Sequence, residues 1–408
     1  MIELSDARRR VLAQCQLLHP RAIPLGDALG CVTSVDVTSE AAVPPFDNTA
    51  VDGFAVRAAD VAAPPVTLPI VATIAAGSPP EPALAPGQAI RILTGAPIPP
   101  GADAVVMVED TDVQGGGIDG ETVTLKVAVP EGAHVRPAGD DIAPGQTVFK
   151  AGTVVTPAHI GVLASIGVRK VPVYPRARVG VLSTGDELVE GSATLRPGQI
   201  HESNRQMLVA LAEQANCTPV DLGIVGDDEH AIARAIEGGL ERCDAILTSG
   251  GVSVGDFDFV KVVLDRLSSG SMQWMQIAIR PAKPFAFGTI GGKPVFGLPG
   301  NPVSSLVSFE CLARPALRKM MGHTRLDRAR VTAVADSSMR RHADGRVNFV
   351  RVRAEWGDDD RFHVATMGGQ GSHQLHATAL ANALAVVPDG EGLEVGADVE
   401  VLLTGWPE

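Results

Sequence analysis

The chain has 408 residues and a mass of 42.3 kDa, which at about 100–200 residues per domain means two to four domains. Its 45% hydrophobic and 20% charged composition supplies the apolar surface a fold needs, and 44 glycines with 30 prolines enrich turns without reaching low complexity. A net charge of −13 argues against nucleic acid or an anionic membrane as the main partner, so a site for an anionic small substrate must gather cations locally.

The spacing predicts a helix over Ala7 to Leu18, with Ser5 as N-cap and Pro20 as its stop. From Ala22 to about Phe54, and again over 61–148, short β-prone pieces such as Thr67 to Ala72 and Val123 to Val129 alternate with Pro/Gly punctuation. That texture reads as a small all-β module. Thr153 to Ile166 returns to helical spacing, with Thr156 as N-cap and Pro157 at the first helical position.

Past Pro175 strands and helices alternate: strand Ala177 to Leu182, helix Ser203 to Asn216, strand Thr218 to Val225, helix Asp228 to Arg242, strand Ala245 to Thr248, helix Asp256 to Leu267. Continuous apolar strands between amphipathic helices mean a mostly parallel sheet with helices on both faces. Short strands follow (Gln276 to Ile279, Pro284 to Phe287, Val295 to Gly297). A helix then opens at GNPVSS and runs past Arg314, with Pro315 at a kink or break. From Arg325 onward only strands at hairpin spacing fit, which reads as a β-barrel-like domain. The fold class is therefore multidomain α+β and α/β. A central, mostly parallel three-layer αβα domain is flanked by β-rich domains and closed by the C-terminal barrel-like one.

The five cysteines are scattered and never in CxxC spacing, which excludes a disulfide framework or zinc ribbon and fits a reducing compartment. The charged start MIELSDARRR lacks the apolar core of a signal peptide and no run approaches 18 apolar residues, so the expectation is a cytoplasmic protein.

Ligands of an open parallel sheet bind beyond the carboxyl ends of its strands. Here those ends carry STGDEL (183–188), LTSGGVSVGDFDF (247–259) and GLPGNPVSS (297–305). They place Ser183, Gly250, Gly251, Ser253, Pro299, Gly300, Asn301 and Pro302 where backbone N–H groups can approach an oxyanion, and GNPVSS also opens a helix. A single such loop is usually only a turn; three at successive strand ends are a site. The same loops carry Asp186, Glu187, Asp227, Asp256 and Asp258, carboxylates that suit Mg²⁺ bridging to a phosphate; helix capping is the ordinary alternative for Asp227 and Asp256. Arg280 and Lys283 sit in the Pro-stiffened AIRPAKPF, with Lys261 on the preceding helix, and Arg346, Arg351 and GGQGSHQ (368–374) form a further oxyanion candidate. His373 and His376 read as ordinary loop histidines. A Walker A loop, a GxGxxG before a helix and a GxSxG elbow are all absent.

PPFDNTAVDGFAVR (44–57), ILTGAPIPPGADAVVMVED (92–110), VRPAGDDI (135–142), STGDEL, SGGVSVGDFDF (249–259), IRPAKPFAFG (279–288), GLPGNPVSS and GGQGSH (368–373) closely resemble, in order and over nearly the whole chain, the molybdopterin molybdenumtransferase family. Its bacterial members are called MoeA, and it includes the E domains of gephyrin and of its plant counterpart. The resemblance implies insertion of molybdate into adenylylated molybdopterin with release of AMP, aided by Mg²⁺. It also implies a homodimer, with contacts to the pathway's adenylyltransferase and to proteins that load molybdoenzymes.

Four domains are implied. They are a dimerisation domain from 1–45 with 149–176, an inserted β-rich domain at 46–148, the α/β molybdopterin-binding domain at 177–322, and the barrel-like domain at 323–408. Family positions fall on Asp52, Thr94, Arg136, Asp141, Glu187, Asp227, Asp258, Lys283, Pro299, Pro302, Arg351 and Ser372. Of these, Glu187, Asp52, Asp141, Asp227 and Thr94 are the catalytic expectations and Glu187, Asp227 and Asp258 the Mg²⁺ ligands. Arg280, Lys283, Arg351 and Ser372 would hold molybdate. Three departures stand out: Arg280 where Lys is frequent, Ala282 in place of Gly, and HESN (201–204) with Glu202 one methylene longer than the usual Asp. These leave open a paralogue preferring tungstate, a pterin adenylyltransferase, or a gephyrin-like scaffold without catalysis.

Overall fold

The computed structural model describes residues 1–113, 119–252 and 259–405. The chain forms two compact units: Met1–Ile23, Gly30–Ser34 and Pro172–Glu408 make one, Pro24–Leu29 and Val35–Val171 the other.

The second unit is built on a five-stranded sheet in the order Ala104–Met107, Gly53–Val56, Ala89–Ile92, Val66–Ile74, Thr122–Leu125. Alternate residues of Gly53–Val56 serve opposite faces: Phe54 and Val56 pack with Val106 and Ile70, whereas Ala55 packs with Ile90, Ile92 and Val105. The expected all-β texture holds, with only short 3₁₀ turns among its strands. Helix Pro157–Ser165 starts where the sequence places it. Thr156 accepts from the His159 N–H and the His159 ring accepts from the Thr156 N–H, so two orphan donors of the first turn are satisfied.

The first unit contains a six-stranded sheet in the order Thr218–Val225, Arg178–Thr184, Ala245–Ser249, Lys293–Leu298, Pro284–Ile290, Gln273–Gln276. The first four strands are parallel and the last two are antiparallel additions. Past its exposed first residue, Arg178–Thr184 is buried throughout, as a strand covered on both faces must be. Val179 and Val181 meet Leu208 and Ala212 of helix Asn204–Gln214, together with Val303 and Val307. Leu182 and Ile246 meet Ile232 and Ile236 of helix Glu229–Arg242 and Val260, Val263 and Leu264 of helix Phe259–Leu267. These are the three expected layers.

The N-terminal helix is Leu4–Gln14, a turn earlier than its spacing suggests, and Ser5 lies inside it rather than capping it. The cause is tertiary: the Ile2 N–H donates to Gln276 O and the Ala278 N–H to Ile2 O, so the chain enters the helix from a strand-like pairing. Beyond GNP the helical chain continues as Pro302–Ser308, a π-type stretch Phe309–Ala313, and Arg314–Met320. The wider turn lies just ahead of Pro315, which lacks an N–H to give, and takes up the break expected there.

Arg330–Ala335, Val347–Trp356, Phe362–Thr366, Ala383–Val387 and Asp398–Leu403 close into a five-stranded barrel, because Val347–Trp356 pairs with both Phe362–Thr366 and Ala383–Val387. A short helix, Leu375–Ala379, interrupts what the sequence reads as strands alone. Ile279–Arg280 adds in parallel to the barrel's long strand, with Ile279 opposite Val347 and Arg280 opposite Asn348. The chain thus leaves the α/β sheet after Gln276, touches the barrel, and returns at Pro284. That excursion carries the Arg280–Lys283 corner.

Candidate functional site

The carboxyl ends of the parallel strands are tied together by buried polar groups. The Asn204 side-chain amide donates to Ser249 Oγ at 2.8 Å and to Gly300 O at 2.6 Å, joining the second and third Gly-rich loops. The Gly250 N–H donates to Leu298 O at 3.1 Å. Gly250 has φ +98°, and a Cβ there would stand 3.0 Å from Thr184 O, so this close approach requires glycine. The Ser183 hydroxyl donates to Glu202 Oε1 at 2.9 Å, and the same oxygen accepts from the Arg205 N–H at 2.6 Å. Arg205 is fully buried, pairs with Glu190 and Asp221, and lies 3.8 Å from the second Glu202 oxygen. The longer Glu202 therefore fixes a strand-end hydroxyl and compensates a buried cation, a role its spacing alone does not reveal.

Glu187 and Asp227 are exposed on neighbouring loops. The Glu187 carboxylate folds over Gly185, into the place a Cβ would take, and Asp186 Oδ1 accepts from the Asp227 N–H at 3.0 Å, linking the two loops. No three His, Cys, Asp or Glu side chains converge as a metal cage among the described residues. Ser253 and Asp258, with Asp256, lie outside the described residues.

A cavity of about 420 Å³ opens beside these loops. It is lined by Arg280, Lys283, Pro299, Asn301 and Ser372 from the expected set, and by Ser304, Arg346, Gln370 and His373. The GGQGSH loop is anchored to the helical start by the Val303 N–H, which donates to Ser372 O at 3.1 Å. Asp344 sits between the cations, bonded to Arg346 and Arg341 and 4.0 Å from Arg280. The Arg346 hydrogen bond, with the nearby charges of Arg346, Arg341 and Arg280, holds its carboxyl below the usual range. Ala282, buried between Arg280 and Lys283, adopts φ +80°, the left-handed conformation that glycine takes without cost.

Arg351 is wholly buried and is not among the lining residues. Its guanidinium donates to Gly369 O at 2.6 Å and Gly371 O at 3.2 Å, while its N–H donates to Gln370 Oε1 at 3.0 Å. It shapes the loop that presents Ser372. Burial without a carboxylate partner lowers its affinity for its proton. Ser304 and Gln370 went unnamed as site residues from sequence; both lie inside motifs that were read, so motif membership was the available signal.

In the other unit, Asp52 Oδ1 accepts from the Thr94 N–H at 2.7 Å and from its hydroxyl at 2.6 Å. The Thr94 hydroxyl and then its N–H hold the Asp52 carboxyl below the usual range. Two motifs about forty residues apart are thereby joined. Exposed Arg136 pairs across to Asn48, and the Asp141 N–H donates to Val43 O at 2.9 Å. Asp47 Oδ1, unremarked in the sequence, accepts from the Ala138 N–H at 2.7 Å and pins the VRPAGDD segment.

Fold and cavity define a multidomain, oxyanion-receptive protein organised around a parallel α/β core. Residues 2–167 match the MoeA N-terminal region (domain I and II), 180–319 a probable molybdopterin binding domain, and 333–404 the MoeA C-terminal region (domain IV). The chain is 38% identical over 409 residues to "Molybdopterin molybdenumtransferase 2" of Mycobacterium tuberculosis, covering 98% of each, and 36% identical over 394 residues to the molybdopterin molybdenumtransferase of Haemophilus influenzae, covering 96% of each. A solved molybdopterin biosynthesis MoeA protein from Pyrococcus horikoshii superposes with TM-score 0.80 at 30% identity, over the full length of both chains. The chain belongs to the MoeA family.

Proposed function

We propose that this chain is a molybdopterin molybdenumtransferase, inserting molybdate into adenylylated molybdopterin and releasing AMP. The observation that carries the reading is the cavity in which Arg280, Lys283 and Arg346 face Ser304 and Ser372. Molybdate is a tetrahedral dianion, and a −13 chain must concentrate cations to hold one. Lys283 and Arg280 would bind it through charge-assisted hydrogen bonds, with the two hydroxyls orienting its remaining oxygens. Arg351 contributes by holding the carbonyls of Gly369 and Gly371, and so the position of Ser372.

The strand-end loops 183–187, 249–251 and 299–302 offer N–H groups for the substrate phosphates. Mg²⁺ needs only one or two carboxylates besides waters and substrate oxygens, and the exposed Glu187 and Asp227 meet that requirement without a cage. Bound there, the ion would neutralise charge developing on the phosphate. Asp52, kept ionised by Thr94, Arg136 and Asp141 are assigned to the catalytic surface of the other unit. A cytoplasmic homodimer is part of the same reading. The division into 1–45 with 149–176, 46–148, 177–322 and 323–408 agrees with the spans of the family regions. No helix among the described residues is long and apolar enough to cross a membrane.

The test is complementation of a bacterial strain lacking this activity, comparing wild type with Glu187→Gln. Restored molybdoenzyme activity with wild type and none with the variant, at equal protein levels, is the expected result. Equal rescue by both would favour a scaffold over an enzyme.

A further inference from the structure

At the opposite end of the α/β sheet, where the parallel strands begin, lies a cavity of about 530 Å³. Its wall is unusually cationic for this chain: Arg21, Arg176, Arg178, Arg242 and Lys293 line it, against two carboxylates, Glu241 and Asp244. Arg178 and Lys293 are the first residues of neighbouring parallel strands, and Arg242 ends the helix Glu229–Arg242. The charges converge: Arg178, Arg242 and Lys293 all act on the thiol of Cys243, which is buried in the cavity wall.

An ordinary structural explanation covers part of this set. The helix ends here with carbonyls to satisfy; the Lys293 ammonium donates to Leu240 O and Arg242 Nε to Gly238 O at 3.3 Å. Those bonds occupy one of three ammonium protons and one of five guanidinium protons. They leave Arg21 and Arg178 unexplained, since among the described residues neither guanidinium has an ion-pair partner. The Asp244 carboxylate is engaged by the Arg178 backbone N–H at 2.8 Å rather than by its side chain. The turn at Gly291 and Gly292 on the rim carries no side chain, with open space where each Cβ would stand, so backbone and ligand can approach.

We propose that this cavity is a second anion-binding site, separate from the molybdate cavity, and that it takes a small phosphorylated molecule through the Arg178 and Arg242 guanidiniums. The volume falls within the about 300–1,000 Å³ of small-molecule pockets. Planar guanidinium forks match phosphate oxygens in pairs, which favours a phosphate group over a monocarboxylate. The site is concave, which favours a small ligand over the flat face of an acidic protein.

The experiment is calorimetric titration of the full chain with inorganic pyrophosphate at low salt. The background is Lys283→Gln, which weakens the first cavity and isolates the second. One binding event per chain is expected. Adding Arg178→Gln and Arg242→Gln should weaken it at least tenfold, and Arg178→Lys with Arg242→Lys should recover part of the loss. Both side chains are exposed and outside every apolar cluster, and an unchanged urea midpoint confirms folding. On the wild-type chain the two Gln substitutions should leave molybdate insertion unaltered, so failure of the function reading and failure of this one are distinguishable. Pyrophosphate affinity unchanged by the Gln pair, or no binding in the Lys283→Gln background, overturns the proposal. So does capture of a hexaglutamate peptide in place of pyrophosphate, which would assign the face to an acidic protein.

Discussion

Ala282 offers a quantitative test of how the molybdate corner is built. Its side chain is 3% exposed and its φ is +80°, between the two cations of IRPAK. Replacing a buried alanine by glycine at an ordinary φ loses about 0.8 kcal/mol of methyl burial and about 0.4–1 kcal/mol through the looser unfolded chain. At Ala282 the same change also removes left-handed strain of about 1–2 kcal/mol, which offsets both losses. Ala282→Gly should therefore be neutral to within about 1 kcal/mol. Ala286→Gly, in the adjoining strand Pro284–Ile290 and equally buried, should lose the full amount. Urea unfolding followed by tryptophan fluorescence is the assay, since Trp274, Trp356 and Trp406 all fall in Pro172–Glu408. The reasoning is refuted if Ala282→Gly lowers stability as much as Ala286→Gly does.

Glu310 is buried on the π-type stretch, bonded to Arg328 at 2.8 and 2.9 Å and 3.7 Å from Arg314; Glu310→Gln should destabilise this unit by about 3–5 kcal/mol, read as a lower urea midpoint. Burial, reinforced by Arg318 and Arg314, pushes the His323 imidazole down to about 4. The unfolded chain then binds the extra proton between about pH 6.5 and 4, so stability should fall as pH drops through that window, by up to about 3 kcal/mol. His323→Gln should flatten that slope. Ser372→Ala should raise the molybdate concentration for half-maximal insertion about 5- to 20-fold while leaving the urea midpoint in place, as loss of a hydrogen bond to a charged ligand predicts. Cys15, Cys217 and Cys311 are buried, and burial pushes their thiols up to about 12, so a thiol reagent should leave them unmodified until the protein is unfolded.

Much of the α/β core was legible because the sequence carries its own periodicity there. The buried run 178–184, the Asp228 cap that accepts from the Ala231 N–H, and Thr156 with Pro157 are local signals, and the chain obeys them. Ser5 misled, because the pairing of Ile2 with the Gln276–Ala278 segment decides where that helix starts, and this contact is far away in sequence. Closure of the barrel was equally hidden, since it depends on one strand pairing with two others. Motifs located Lys283, Asn301 and Ser372, but not that Asn204 would knit two loops, nor that Arg351 would turn from the cavity to the loop behind it. Such roles depend on which carbonyls and hydroxyls are left over once the fold is made, and a linear pattern does not record that.

The central claim is tested most directly by a single-turnover reaction of the purified chain with adenylylated molybdopterin and Mg²⁺, with and without molybdate. The account predicts AMP release that depends on molybdate, yields metal-loaded pterin in equal amount, and falls at least tenfold in Lys283→Gln. AMP release indifferent to molybdate, or none from the folded protein, would contradict it.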